Sequence, residues 1–336
     1  MDHTVRAVNV MEKWLDVVST GLSDAFNAAQ QFLFERAVEP LAFSLGAGNF
    51  LEQAYDGTGL LLVGLLQIAV LLVVFGPLEK RIPVEPVVDR RSIRVDMLYT
   101  VIHRLGLFKL LMFFTLEPLL DGGIGILRSD GLPTLHLDQW WPGVTDTGVA
   151  SFVIYLVVFD FLQYLIHRAQ HQFEWWWALH ALHLSQRQMT MWSDNRNHLL
   201  DDALHDSLFV VIAILIGVPP GQFVAVVACT QLTESFQHAN VRIWFGSVGE
   251  RLWVSPRFHR LHHSIGLGHE FAGKNTLGGC NFGVLLPWWD MLFRTANFAL
   301  RFDPTGVRDQ VEQGRDYGTG FWQQQWLGLR RLLGNR

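Results

Sequence analysis

The sequence is poor in charged residues and in cysteine. Only 17% of its 336 residues are charged, whereas soluble domains usually carry about 25%, so the composition indicates a membrane protein. The two cysteines, Cys229 and Cys280, cannot form a disulfide framework or a thiolate metal site. The net charge of −5 argues against nucleic acid as a partner. The first thirty residues lack a basic start followed by an apolar run, so we expect no cleaved signal peptide.

The apolar runs predict an all-α integral membrane bundle with about three spans. Residues 59–76 contain no charged residue and nearly span a hydrocarbon core of about 30 Å. The runs at 105–120 and 149–166 are weaker and give the second and third predicted spans. Before them, apolar residues at helical spacing predict amphipathic helices. We therefore divide the chain into N-terminal amphipathic helices at 1–58 and one membrane-embedded domain at 59–336.

A Pro-Pro-Gly sequence at 219–221 separates two apolar arms that are each too short to cross a bilayer. Such a break is typical of a turn, and it predicts a helical hairpin, fully or partly inserted, whose ends return to one side. Five basic residues follow the first span: Lys80, Arg81, Arg90, Arg91 and Arg94. By the positive-inside rule this loop is cytoplasmic. The histidine-rich segments flanking the hairpin are then expected on the cytoplasmic face, in a bacterial inner membrane.

Histidine is concentrated in one region, because eleven of the fourteen histidines lie between His167 and His269. Seven of these occur at offsets of three or four residues, which place side chains on one face of a helix, and an eighth stands alone in QHAN. The eight candidate metal ligands are His167, His171, His180, His183, His238, His259, His262 and His263. Eight exceed the ligands of one ion, so we predict two ions with open positions. Imidazole suits zinc, copper, iron and nickel, so the ligands alone do not identify the metal. A metal pair beside a bilayer can reach the apolar chains of lipids, which have no leaving group for hydrolysis. This setting favours oxidation by a redox metal and O2.

These residues resemble the fatty acid hydroxylase and sterol desaturase superfamily of membrane di-iron oxygenases. The resemblance lies within residues 150–295 and rests on HRAQH, HALHLS, FQHAN, SPRFHRLHHS and NFGVLLPWWDMLF in that order. It implies two iron ions, for which zinc could substitute, and an acyl, sterol-like or amino-lipid substrate. It also implies O2 as oxidant and a separate electron donor of the reductase, ferredoxin or cytochrome type. We expect hydroxylation of a C–H bond. The alternatives are a desaturase on the same cluster, a catalytically silent metal-binding protein and a zinc-dependent enzyme.

The sequence departs from the family pattern at the second histidine motif, which usually reads HxxHH. Leu184 stands where that pattern has its third histidine. Three residues are candidate additional ligands: Glu234, which lies four residues before His238, together with His198 and His269. For each of them the alternative is a supporting or surface role.

Two further residues are predicted to support the ligands through hydrogen bonds. Asp160 lies two helical turns before His167, and a carboxylate inside an apolar span is costly and usually functional. It could accept the N–H of a ligating imidazole or pair with a cation such as Arg168. Asn240, two residues after His238, is the second predicted supporting residue.

Overall fold

The computed structural model describes residues 20–21, 23–271, 274 and 276–334, and its regular elements are helices. Within these ranges the β pairing consists of two isolated bridges, Ser264 with Thr305 and Glu270 with Leu277. The predicted all-α class is confirmed. The chain forms two compact units, 1–66 and 67–336. The part of the predicted N-terminal helices at residues 1–19 and 22 lies outside the described residues.

In the first unit, helix α1 covers residues 23–33 and continues through a π-helical turn at Phe34–Val38 to Glu39–Ser44. It packs against the start of helix α2, Leu51–Val70. The Gln30 side-chain amide donates a hydrogen bond of 2.9 Å to the Tyr55 carbonyl oxygen. The Phe34 and Tyr55 rings meet edge to face, with their centroids 5.2 Å apart. Among the described residues of this unit, one polar and one aromatic contact thus join α1 to α2.

Among the described residues, two helices are long and apolar enough to cross a membrane. The first is α2 extended through a π-helical turn at Leu71–Phe75 and the segment Gly76–Arg81, and the other is α6, Gly148–Gln172. Helices α3, Arg90–Arg104, and α4, Leu107–Thr115, qualify as a third span only if they are counted together across a bend of 52°.

The second predicted span begins earlier than its apolar run and is broken within it. Gly106 lies at the break with a φ of 77°, a left-handed conformation that interrupts a helix and that glycine adopts readily. Pro118 opens a separate helix, α5, Glu117–Ser129. The apolar run at 105–120 is therefore divided between α4 and α5, for these two local reasons.

The predicted hairpin is present as helices α8, Leu199–Ile216, and α9, Pro220–His238. Gly217, with a φ of 68°, ends α8, and Pro220 occupies the first turn of α9. The hairpin packs against α6 through the Phe159 ring, which stacks on Phe209 at 5.3 Å and meets Phe223 at 5.5 Å. Helices α6 and α9 consequently end near each other.

A cap of shorter helices follows the ends of α6 and α9. Its helices are α7 at Glu174–Leu184, α10 at Gly246–Leu252, α11 at Pro256–His262, α12 at Trp288–Leu292, α13 at Arg308–Glu312 and α14 at Phe321–Leu332. Helix α14 lies on α7, and the Arg331 side chain donates a hydrogen bond of 3.0 Å to the Ala178 carbonyl oxygen. All eight candidate metal ligands lie on α7, on α11 with its C-cap residue, or in the last turns of α6 and α9.

Candidate metal centre

The eight predicted histidines converge into two buried groups of four. Group 1 consists of His167, His171, His180 and His262, and group 2 consists of His183, His238, His259 and His263. Within each group the nitrogens that could bind a metal all lie within 4.8 Å of one another. This spacing suits one ion per group, because nitrogens bound at about 2.1 Å lie up to about 4 Å apart.

The spacing of the histidines along their helices places these side chains in the two groups. His167 and His171 are one turn apart on α6, so both reach group 1. Helix α7 serves both groups, because His180 joins group 1 and His183 joins group 2. Helix α11 is similarly shared, and its start is fixed by the Ser255 hydroxyl, which accepts a hydrogen bond of 3.1 Å from the Phe258 amide.

The Nε2 atoms of both groups are arranged for cations. In group 2, the Nε2 atom of His238 lies 3.2 Å from that of His183 and 3.1 Å from that of His259, which is 3.2 Å from that of His263. In group 1 all four Nε2 atoms are buried without a hydrogen-bond partner among the described residues. An unsatisfied buried nitrogen costs about 1–3 kcal/mol. Two metal ions would satisfy these nitrogens, so the donor set fits the pair of irons that the resemblance implies.

Four of the eight imidazoles are oriented through Nδ1. The acceptors are the carbonyl oxygen of Phe282 for His167 at 2.9 Å, the carboxylate of Asp201 for His180 at 3.1 Å, the carbonyl oxygen of Glu234 for His238 at 2.8 Å and the carbonyl oxygen of Cys280 for His262 at 2.8 Å. A proton held on Nδ1 leaves the Nε2 lone pair free to bind a metal.

Burial keeps four histidines of the cap neutral. Burial, reinforced by the neighbouring imidazoles, holds the pKa values of His183, His259 and His263 well below the ordinary range. Burial also lowers the pKa of His262 to about 3, against the smaller opposing effect of its bond to the Cys280 carbonyl oxygen. Neutral imidazole is the form that ligates, so these residues are ready to bind metal at neutral pH.

Asp201 is a functional residue that the sequence reasoning missed. Its buried carboxylate accepts hydrogen bonds from His180 Nδ1 at 3.1 Å, Gln170 Nε2 at 2.8 Å and Trp176 Nε1 at 2.6 Å. It therefore fixes one ligand and joins the ends of α6, α7 and α8. The available signal was an acidic pair, Asp201 and Asp202, at the start of an apolar helix.

Asp160 supports the site differently from the prediction. One carboxylate oxygen accepts from the Leu285 amide at 2.7 Å, and the other accepts from the Leu286 amide at 3.1 Å and the Trp289 indole at 2.8 Å. These donors are two backbone amides and an indole, not the imidazole or the cation that the sequence predicted. The carboxylate thus fixes the segment that begins with Phe282, whose carbonyl oxygen orients His167.

Asn240 also acts on the backbone. Its side-chain oxygen accepts from the amides of Val84 and Glu85 at 3.1 and 3.2 Å, and its side-chain nitrogen donates to the Glu85 carbonyl oxygen at 2.7 Å. These bonds tie the loop after the first span to the end of α9, two residues beyond His238. Asn240 thus helps to hold the position of a group 2 ligand.

Two candidate additional ligands, Glu234 and His198, lie outside both groups. The Glu234 carboxylate accepts a hydrogen bond of 3.0 Å from the Gln163 side chain. His198 begins α8, where its Nδ1 atom accepts from the Leu200 amide at 3.1 Å and its Nε2 atom lies 2.9 Å from the Gln325 carbonyl oxygen. Both nitrogens of His198 are occupied, so it serves as a helix cap.

His269 lies outside both groups as well. Its ring stacks on Trp177 with a centroid separation of 5.3 Å, and burial lowers its pKa to about 4. Leu184, at the departure from the family pattern, is fully buried in an apolar cluster with Ala181, Val307 and Tyr317. Each group contains four histidines without an imidazole at position 184.

Comparisons with known proteins agree with this geometry. Residues 152–295 match the model of the fatty acid hydroxylase family. The chain is 30% identical over 180 residues to the ornithine lipid hydroxylase OlsE of Rhizobium tropici, covering 52% of this chain and 51% of the relative. It is 25% identical over 160 residues to the alkylglycerol monooxygenase of Caenorhabditis elegans, covering 46% and 28% respectively. It is 23% identical over 185 residues to the fatty acid hydroxylase vlmA of Lecanicillium sp, covering 51% and 47%.

The chain thus spans about half the length, or less, of these curated relatives. No solved structure matches it significantly. The family match contains all eight clustered histidines and confirms the resemblance drawn from the motifs. Residues 152–295, which carry both histidine groups, thus match the fatty acid hydroxylase family.

Proposed function

We propose that this protein is a membrane di-iron oxygenase that hydroxylates a C–H bond of a lipid, with O2 as oxidant and electrons from a separate redox protein. The observation that carries the proposal is the convergence of eight buried imidazoles into two groups of four. The match of residues 152–295 to the fatty acid hydroxylase family supports it. So do relatives named for the hydroxylation of ornithine lipid and fatty acid and for the mono-oxygenation of alkylglycerol.

In this proposal each group holds one iron ion, and the pair, when bound, supplies the activation of O2 that attack on an unactivated C–H bond requires. The residues of the chain prepare the site. Burial of both groups excludes water, and it keeps His183, His259, His262 and His263 neutral. Asp201 and three carbonyl oxygens hold protons on Nδ1 and direct Nε2 towards the metal positions. Glu234, His198 and His269 are proposed to support this arrangement without binding metal.

The proposal is tested by metal analysis together with lipid mass spectrometry. Protein purified in detergent after iron-replete expression is expected to contain about two irons per chain, one for each group. Cells that express it should contain a lipid that gains one oxygen, and cells that express His183→Ala should not. Loss of two hydrogens instead would identify the desaturase alternative. Zinc without iron, or an unchanged lipid profile, would contradict the oxygenase proposal and favour a zinc enzyme or a silent metal-binding protein.

We also propose that residues 59–336 form the membrane-embedded domain, with the metal centre on the cytoplasmic face of a bacterial inner membrane. The proposal is tested with single cysteines in a background where Cys229 and Cys280 are serine. Arg187 and Gln313 are exposed on the cap, and Asp146 is exposed next to the opposite end of α6. Cysteines at the first two positions should be shielded from an impermeant thiol reagent in whole cells, whereas one at position 146 should react. Labelling of the cap from outside the cell would reverse the proposed orientation.

A further inference from the structure

A polar pair lies one helical turn from the metal groups, on the side away from the cap. Helices α6 and α9 both run towards the cap. Gln163 precedes His167 by four residues, and Glu234 precedes His238 by four, an offset of about 6 Å along each helix. The Gln163 side-chain amide donates a hydrogen bond of 3.0 Å to the Glu234 carboxylate. The Glu234 carbonyl oxygen accepts from His238 Nδ1 at 2.8 Å, which fixes the pair relative to group 2.

The Glu234 carboxylate has no cationic partner within 4 Å among the residues that the structure describes. The basic groups of this region are paired with other acids: Arg104 lies 2.7 Å from Asp194, and Lys109 and His205 share Asp206 at 2.6 and 3.4 Å. A carboxylate held among helices without a countercharge is unfavourable. Arg104 and His205 act on the Glu234 carboxylate over a longer distance. A cation bound directly to this carboxylate would therefore come from outside the residues that the structure describes.

The surroundings of this pair are only partly buried. Glu234 is half-buried, and on the facing arm the side chains of His205 and Asp206 are 26% and 24% exposed. The two metal groups, in contrast, are buried throughout. A molecule that approaches between the hairpin and α6 would meet Glu234 and Gln163 before it reaches the metal groups.

We propose that Glu234, with Gln163, binds the ammonium group of an amino-lipid substrate and presents the carbons beside that headgroup to the metal groups. This inference rests on the proposed function and deepens it by naming the substrate class. An ammonium donates charge-assisted hydrogen bonds to a carboxylate, and the Gln163 amide oxygen can accept a further N–H. A fatty acid headgroup would be repelled by the same carboxylate. The oxidised carbon then lies in or next to the headgroup, not in the middle of an acyl chain.

The test compares two probes of equal chain length, octadecylamine and octadecanol. Their binding to the purified full-length protein in a neutral detergent is measured by native mass spectrometry. For each protein, the affinity for the amine is divided by the affinity for the alcohol. The wild-type value is then divided by the Glu234→Gln value, so that the different partitioning of the two probes into detergent cancels. We expect this ratio to be about 10- to 100-fold, as for a hydrogen bond to a charged group. Asp121→Asn is the matched control, because it removes an exposed acid from α5 and should keep the preference.

A second variant reverses the charge. Glu234→Lys is expected to prefer octadecanoate to octadecylamine, a gain that simple loss of folding cannot produce. An unchanged amine preference in Glu234→Gln overturns the proposal. The proposal is equally overturned if Glu234→Gln loses metal but keeps the preference, because Glu234 would then serve only the metal groups.

The binding test separates this inference from the proposed function. Metal content and lipid oxidation are measured on the same preparations. Protein without iron and without lipid oxidation would contradict the oxygenase, while the amine preference and its dependence on Glu234 would still be read directly from the binding data. Iron-dependent hydroxylation without an amine preference would leave the oxygenase in place and overturn the amino-lipid assignment.

Discussion

Replacement of Asp201 by asparagine tests how the metal centre is built. The carboxylate accepts three hydrogen bonds, from His180, Gln170 and Trp176. Asparagine keeps the shape but loses the negative charge, and its amide nitrogen would face at least one N–H donor that it cannot satisfy. The His180 ring should then be held less firmly, and its Nε2 atom should be less basic. Loss of such a supporting partner typically weakens metal binding about 10- to 100-fold, or about 1.4–2.8 kcal/mol.

A chelator titration can show whether the Asp201 substitution weakens one metal group and spares the other. Among the eight histidines, Asp201 contacts only His180, which belongs to group 1. Purified Asp201→Asn should therefore release one of its two metals at chelator concentrations that leave the wild type fully loaded. The matched control is Asp202→Asn. This carboxylate is adjacent on the same helix but lies 3.2 Å from His103, which is not a ligand, so both metals should be retained. Chelator titrations that superimpose for Asp201→Asn and the wild type would refute the positioning role.

Three further predictions follow from the same geometry. His263→Ala should lower metal content and activity by about 10- to 100-fold or more, whereas metal analysis of His269→Ala should show full loading because that residue lies outside both groups. Leu184→His should not raise metal occupancy. It should lower the free energy of unfolding by about 1–3 kcal/mol, because it places a polar ring in a fully buried apolar cluster. Burial holds the pKa values of His183, His259, His262 and His263 below the unfolded value of about 6.5. The free energy of unfolding of the metal-free protein should therefore stay constant above about pH 6.5. Below about pH 6.5 it should fall by up to about 1.4 kcal/mol per pH unit for each such histidine. Denaturation midpoints that do not change between pH 7.5 and 5.5 would contradict this expected loss of stability.

The sequence alone determined the helical class, the hairpin and the eight clustered histidines, because each depends on local chemistry. Uncharged apolar runs indicate transmembrane helices wherever they occur in a chain. The Pro-Pro-Gly sequence cannot lie in the interior of a helix, and in the structure it stands at the start of α9, directly after the turn between the two arms. Histidines at offsets of three and four residues share a helix face whatever packs against it.

Only the tertiary structure decided how the histidines are divided and what holds them. His180 and His183 are three residues apart on one helix, yet they belong to different groups, because the facing ligands arrive from α6 on one side and from α9 on the other. Asp160 binds the amides of Leu285 and Leu286, which are distant in sequence, instead of an imidazole. Asp201 became a support for His180 only through the packing of α8 against α7. Such partners depend on long-range packing between helices, which the periodicity of a single segment does not encode.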